Sequence, residues 1–258
     1  MRVSLRFNFY ATWDTLNSEI NNIHLKCLEF YKCIFNDVKV CISIDDTNDK
    51  QLIKEVQERF FNVFKGESIK LCFDVQKNQP EYRESLFFKK EVVDKFNTYD
   101  LVFFAHNKGM TNVKHFDKNT INIWVVAMYY FNLNFFEDVK RCLLNDIFYT
   151  YGTFLTKELE HESFTKYGYR YLGTFIWFNG KRLSNMYNEF PKLDSRLYSE
   201  NFIGNTNADM RKCASYKGTY IISENNLYYN IKYPLHLLYS DELLNEFYEF
   251  YNNIIEKL

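Results

Sequence analysis

Four short apolar runs rich in strand formers punctuate the first 105 residues: Val3–Tyr10, Val38–Ile44, Ile69–Phe73 and Leu101–Ala105. A segment with helical spacing of its apolar residues follows each of the first three. Leu101–Ala105 carries no polar break, the pattern of a strand buried on both faces, and it runs into His106-Asn107-Lys108-Gly109. Alternation of strand and helix dictates a parallel sheet joined by right-handed crossovers. The polar segments Asn8–Asp14, Asp45–Asp49, Gln76–Pro80 and His106–Asn112 then converge on one sheet edge, where ligands of such sheets bind.

The helical segments have clear faces. Leu16, Ile20, Ile23, Cys27, Tyr31 and Ile34 fall three and four apart. Asn48 or Asp49 can cap a second helix that buries Leu52, Val56, Phe60 and Val63 and stops at Gly66. Glu84–Phe96 makes a third. Beyond residue 112 the pattern becomes irregular. Ile121–Leu133 and Phe135–Phe148 are helical, and Tyr149–Leu155 reads as a strand. Tyr169–Phe178 reads as one strand with a glycine inside, Leu183–Phe190 as a short helix ended by Pro191, Thr219–Ser223 as a strand and Glu242–Leu258 as an amphipathic helix. The expectation is one α/β domain over 1–258: a nucleotide-binding type of half over 1–112 and an acceptor-side half with a C-terminal helix over 113–258.

Bulk properties narrow the function. A net charge of −1 gives no electrostatic footprint for a nucleic acid. Aromatic residues at 19% argue for a packed chain. None of the 6 cysteines forms a CxxC pair, so no structural zinc is expected. Met1-Arg2-Val3 leads straight into a strand pattern and no apolar run nears the ~20 residues of a membrane span. A reduced, cytoplasmic protein is the expectation. The aromatic C-terminal helix leaves two readings: packing onto the body, or a peripheral contact at the inner face of a membrane. Neither GxGxxG nor GxxxxGK[ST] occurs, and with 8 glycines in the chain a phosphate-cradling loop after the first strand is not expected.

The order of Ile44-Asp45-Asp46-Thr47-Asn48-Asp49, an Asn78-containing loop, and Tyr99-Asp100 before the fourth strand resembles the nucleotide-binding half of GT-A-fold glycosyltransferases. Phe104–Thr111 and Tyr171–Asn179 (YLGTFIWFN) are similar to a bacterial subgroup that builds capsule, O-antigen and related cell-surface glycans. That subgroup carries His-x-Lys-Gly where most members carry Asp-x-Asp. The resemblance covers roughly residues 1–205. It implies a Rossmann-type sandwich with a mostly parallel central sheet. It also implies a nucleoside-diphosphate sugar donor, UDP-linked in our reading, and a glycan or lipid-linked oligosaccharide acceptor.

Asp-x-Asp would hold a divalent ion on the donor phosphates; His106-Asn107-Lys108 cannot. Lys108 instead offers a fixed point charge to the diphosphate, His106 a donor to phosphate or sugar, and Gly109 close backbone approach. No cofactor is therefore expected, with Asp45 or Asp46 as the remaining route for Mg or Mn. Asp45 suits a ribose hydroxyl; Asp46 and Asp49 read equally well as caps. Tyr10, Ala11 and Thr12 would line a base pocket, Asn107 would contact the ligand and Arg83 would reach a phosphate or stay solvated. Thr174, Phe175, Trp177 and Asn179 read as a sugar wall or as a buried strand. Glu200 is the expected base for the acceptor hydroxyl, with Asp194 second. The alternatives are a nucleotidyltransferase and a non-catalytic glycan- or nucleotide-binding module.

Overall fold

The structure is a computed structural model. It describes residues 1–78, 95–107, 118–145, 148–157, 169–171, 173–186, 213–214, 220–221, 235 and 239–258. Arg83, Lys108, Gly109, Asp194, Glu200 and residues 84–94 of the helix expected over Glu84–Phe96 lie outside them.

Four parallel strands form the frame: β1 (Val3–Tyr10), β2 (Asp37–Ile44), β3 (Lys70–Lys77) and β4 (Leu101–His106). Strand β1 pairs with β2 on one side and β4 on the other, and β2 pairs with β3. The crossovers carry α1 (Trp13–Leu16), α2 (Glu19–Tyr31) and α3 (Lys50–Val63). Asp49 caps α3 by accepting from the Leu52 amide, as the sequence allows, and Gly66 takes the left-handed φ of +87° just past the helix end. Strand β3 is longer than its apolar run, so Gln76 belongs to the ladder and not to a loop.

Alternation along β1 gives the sheet two unlike faces. Phe7 and Phe9 point to the side covered by α3, with Phe60 rings 5.8 and 5.2 Å away. On the opposite face lie Ser4, Arg6 and Asn8, all buried. Arg6 donates to Asp37 at 2.7 Å, and its guanidinium sits 5.5 and 5.1 Å from the Phe96 and Tyr99 rings. Ser4 donates to the same carboxylate oxygen. A buried charge needs this kind of pairing to be tolerated.

After β4, α4 (Lys118–Tyr129) runs into a π-helical turn at Tyr130–Asn134 and then α5 (Phe136–Leu144). Strand β5 (Thr150–Gly152) joins the large sheet, while β6 (Leu155–Lys157) joins a small one. The expected single strand Tyr169–Phe178 is likewise two: β7 (Tyr169–Tyr171) in the small sheet and β8 (Ile176–Asn179) in the large one. Gly173 at φ +86° and Thr174 at +54° make the break, because left-handed backbone cannot continue a ladder. A Cβ on Gly173 would collide with Met128 Cε and Sδ. The remaining elements are α6 (Gly180–Met186), β9 (Cys213–Ala214), β10 (Tyr220–Ile221) and α7 (Asp241–Ile255).

The seven-stranded sheet has the order β3-β2-β1-β4-β8-β5-β9, and the small sheet β10-β6-β7. Helix α7 lays Phe247 and Phe250 on Tyr130, with ring separations of 5.5 and 5.3 Å, so packing onto the body accounts for these aromatics. Among the described residues no helix is long and apolar enough to cross a membrane. The whole is a Rossmann-like α/β arrangement, mostly parallel in its first half. Chain order reverses between β1 and β4, which makes their carboxyl ends the switch point where such sheets open a crevice.

Candidate active site

The carboxyl ends of β1, β2 and β3 bring Tyr10, Asp45 and Asn78 together. Asn78 donates from Nδ2 to Asp45 Oδ1 at 2.7 Å, and Tyr10 Oη lies 3.5 Å from Asp45 Oδ2. The Asn78 amide donates to the Ile44 carbonyl, so the side-chain contact is braced by the backbone. Asp45 is exposed, with its carboxylate held in place at the sheet edge. Below it, Asn8, Ser43 and Gln76 form a polar layer across the same three strands. Ser43 donates to Asn8 Oδ1 at 2.9 Å, and Gln76 Nε2 donates to Ser43 Oγ at 2.6 Å. These residues sit at every second strand position on the polar face; that period-two pattern in FNFY, CISI and FDVQ was the available signal.

The loop after β1 is tightly used. Thr12 closes a capping box with Thr15, so its hydroxyl is taken by the helix end. Ala11 is wholly buried and contributes only its amide, which donates to the Ser43 carbonyl. The sequence expected both to line a base pocket; here the Thr12 side chain serves the helix end and the Ala11 side chain is enclosed. Asp46 accepts from the Asn48 amide at 2.9 Å and shapes the turn into α3. Trp13, which sequence reasoning passed over, is 48% exposed beside this edge. Its Nε1 donates to Asp49 Oδ2 at 2.8 Å, while Asp49 Oδ1 caps α3. Asp49→Ala removes both anchors at once and is expected to cost about 1 kcal/mol of stability in urea unfolding.

At the end of β4, His106 is only 6% exposed, and its ring lies 6.0 Å from that of Phe175. Asn107, expected to contact a ligand, is bonded within the protein. Its Oδ1 accepts from the Tyr10 amide at 2.9 Å, and its Nδ2 donates to the Tyr10 carbonyl at 2.7 Å and to Asn21 Oδ1 at 2.8 Å. Both amide hydrogens are engaged, so the Asn107 side chain clamps the strand ends. Asn21 in turn donates to the Thr15 carbonyl, tying the clamp to the start of α2.

The expected wall of the site divides. Strand β8 is antiparallel to β4, with Phe104 opposite Ile176 and Leu101 opposite Asn179. Thr174 and Phe175 therefore come at the His106 end and Asn179 at the far end. There Asn179 donates to the Leu143 carbonyl and accepts from the Arg182 amide, opening α6. Trp177 is fully buried, 4.7 Å from the Phe103 ring, and its Nε1 donates to the Asn132 carbonyl. It belongs to the core. Phe175 is also enclosed, 5.1 Å from the Tyr129 ring. Burial pushes the Tyr129 phenol well above its ordinary range, so it stays neutral beside His24 Nδ1 at 2.8 Å. His24 is a satisfied core histidine.

Among the described residues no three His, Cys, Asp or Glu side chains converge on a metal position. What the edge offers is a held carboxylate for hydroxyl groups, two aromatic side chains beside it, and a histidine at the switch point.

No family profile and no curated protein sequence matches the chain. One solved structure with a similar course is the 4-diphosphocytidyl-2C-methyl-D-erythritol synthase of Anaerococcus prevotii. It shares 12% identity over 87% of this chain and 94% of that one, with a TM-score of 0.42, a likeness too loose to assign an activity.

Proposed function

We propose that the protein is a glycosyltransferase that moves a sugar from a nucleoside-diphosphate donor, UDP-linked in our reading, to a hydroxyl of a growing cell-surface glycan of capsule or O-antigen type. The observation that supports this most is the Tyr10–Asp45–Asn78 group beside the β1/β4 switch point, a position suited to the ribose end of a nucleotide. Lys108 and Gly109 follow Asn107 directly in the chain, so they start from a point anchored to Tyr10. In this reading Lys108 and His106 neutralise charge growing on the departing diphosphate, Arg83 assists at a phosphate, and Glu200 accepts the proton of the acceptor hydroxyl. A side-chain cation takes the place that a divalent ion holds in related sites, and no metal is required.

The purified protein is tested with UDP-glucose, UDP-galactose and UDP-N-acetylglucosamine, and UDP release is measured with and without EDTA. UDP release that survives EDTA is expected. Complete loss in EDTA overturns metal independence. Pyrophosphate release from CTP or UTP in the presence of a sugar phosphate identifies a nucleotidyltransferase instead. A thermal shift gives the first answer, since a nucleotide at 100 times its Kd stabilises by about 2.7 kcal/mol; no shift with any nucleotide removes the nucleotide reading.

A further inference from the structure

We propose that β3 is the interaction surface for a second copy of this chain, each β3 pairing antiparallel with the other about a two-fold axis at Cys72.

Strand β3 differs from the rest of the parallel frame. Strands β1, β2 and β4 are buried almost throughout, whereas every position of β3 is exposed or half-buried. Among the described residues it is the outer strand of the large sheet. The Lys70 amide donates to the Asn36 carbonyl and the Asn78 amide to the Ile44 carbonyl, so even-numbered positions turn their backbone groups to β2. Leu71, Phe73, Val75 and Lys77 then turn N–H and C=O groups to the outer edge. Pairing with β2 runs unbroken from Lys70 to Lys77, so neither a bulge nor a proline blunts this edge. Beside it Val75 is 40% and Phe61 54% exposed, and the Phe61 ring lies 5.4 Å from that of Phe73. An open edge flanked by apolar side chains is a template for another strand.

Charge selects the occupant and the register. A two-fold axis makes the strands antiparallel, and hydrogen bonding requires odd-numbered positions to face odd-numbered ones. An axis at Asp74 sets two carboxylates face to face and Leu71 against Lys77. An axis at Phe73 sets Lys70 against Gln76 and Cys72 against Asp74, so no charge meets its opposite. An axis at Cys72 sets Lys70 of each copy against Asp74 of the other, and Leu71 against Phe73. Each favourable pair then occurs twice by symmetry. Asp74 also holds Lys39 at 2.6 Å, but its side chain is 57% exposed and has room for a second cation. The carboxyl ends that carry the two candidate sites face opposite ways in this dimer.

The test reads mass by light scattering after gel filtration, with circular dichroism to check folding. Wild type is expected to have the mass of two chains. Lys70→Glu and Asp74→Lys, each alone, set like charges opposite one another and are expected to run as single chains. Mixed in equal amounts, the two variants restore every opposite-charge pair between them, and the two-chain mass is expected to return. The Cys72 residues would form a non-hydrogen-bonded pair, with Cα atoms about 4.5 Å apart, within reach of a disulfide. Cys33 is also exposed, so the cross-link is read in a Cys33→Ser background. There copper phenanthroline is expected to join most chains into disulfide dimers, and to join none once Cys72→Ser is added. A single-chain mass for wild type at every concentration overturns the proposal. So does a dimer that survives either charge reversal, a mixture that stays monomeric, or a dimer that Cys72 does not cross-link.

Discussion

Asn107→Ala is expected to destabilise the protein by about 3 kcal/mol. One side chain supplies three bonds, two part-buried ones to the backbone of Tyr10 and one buried one to Asn21. Truncation leaves the Tyr10 amide, the Tyr10 carbonyl and the Asn21 side chain without these partners, and an abandoned buried group costs more than an average bond contributes. Asn107→Asp keeps the acceptor but sets a buried carboxylate against the Tyr10 carbonyl and Asn21 Oδ1, and is expected to cost at least as much as alanine. Urea unfolding at unchanged m-value measures this directly. A loss under about 1 kcal/mol would mean that the clamp is not made in solution.

Lys108→Ala is expected to lower UDP-sugar turnover by two orders of magnitude, about the effect of removing one preorganised group that meets transition-state charge. The variant is expected to unfold at the wild-type urea concentration, which separates this loss from a folding defect. Lys108→Arg keeps the charge but changes its geometry and should recover part of the rate. Turnover within about threefold of wild type would remove Lys108 from the mechanism, because a group meeting the diphosphate cannot be that dispensable.

The parallel half of the fold was legible because its signals are local. Each of β1 to β4 carries its apolar run, and Asp49 caps α3 one residue ahead of it. The errors arose where partners are distant. The clamp role of Asn107 depends on residues 97 and 86 positions away, which no window of sequence contains. For Trp177 and Asn179 the sequence left a sugar wall and a buried strand open, because the direction of β8 against β4 leaves no mark in composition; here both lie in the buried strand. YRYLGTFIWF keeps apolar residues on both sides of Gly173, so it reads as one strand. A threonine at positive φ argues against itself in any propensity scale. Asp45 was legible as a strand-end carboxylate; its bond to Asn78 came only from the register of β2 and β3.

Trp13, Asp45 and Asn78 each already hold a bond inside the protein. Their rotamer freedom is given up when the chain folds and not when a ligand docks. Folding bears that entropy, of order 1 kcal/mol for a long polar side chain, and association is spared it. The rim proposed to receive a ligand is therefore a pre-set mould, and complex formation there would not have to wait for these side chains to find their places.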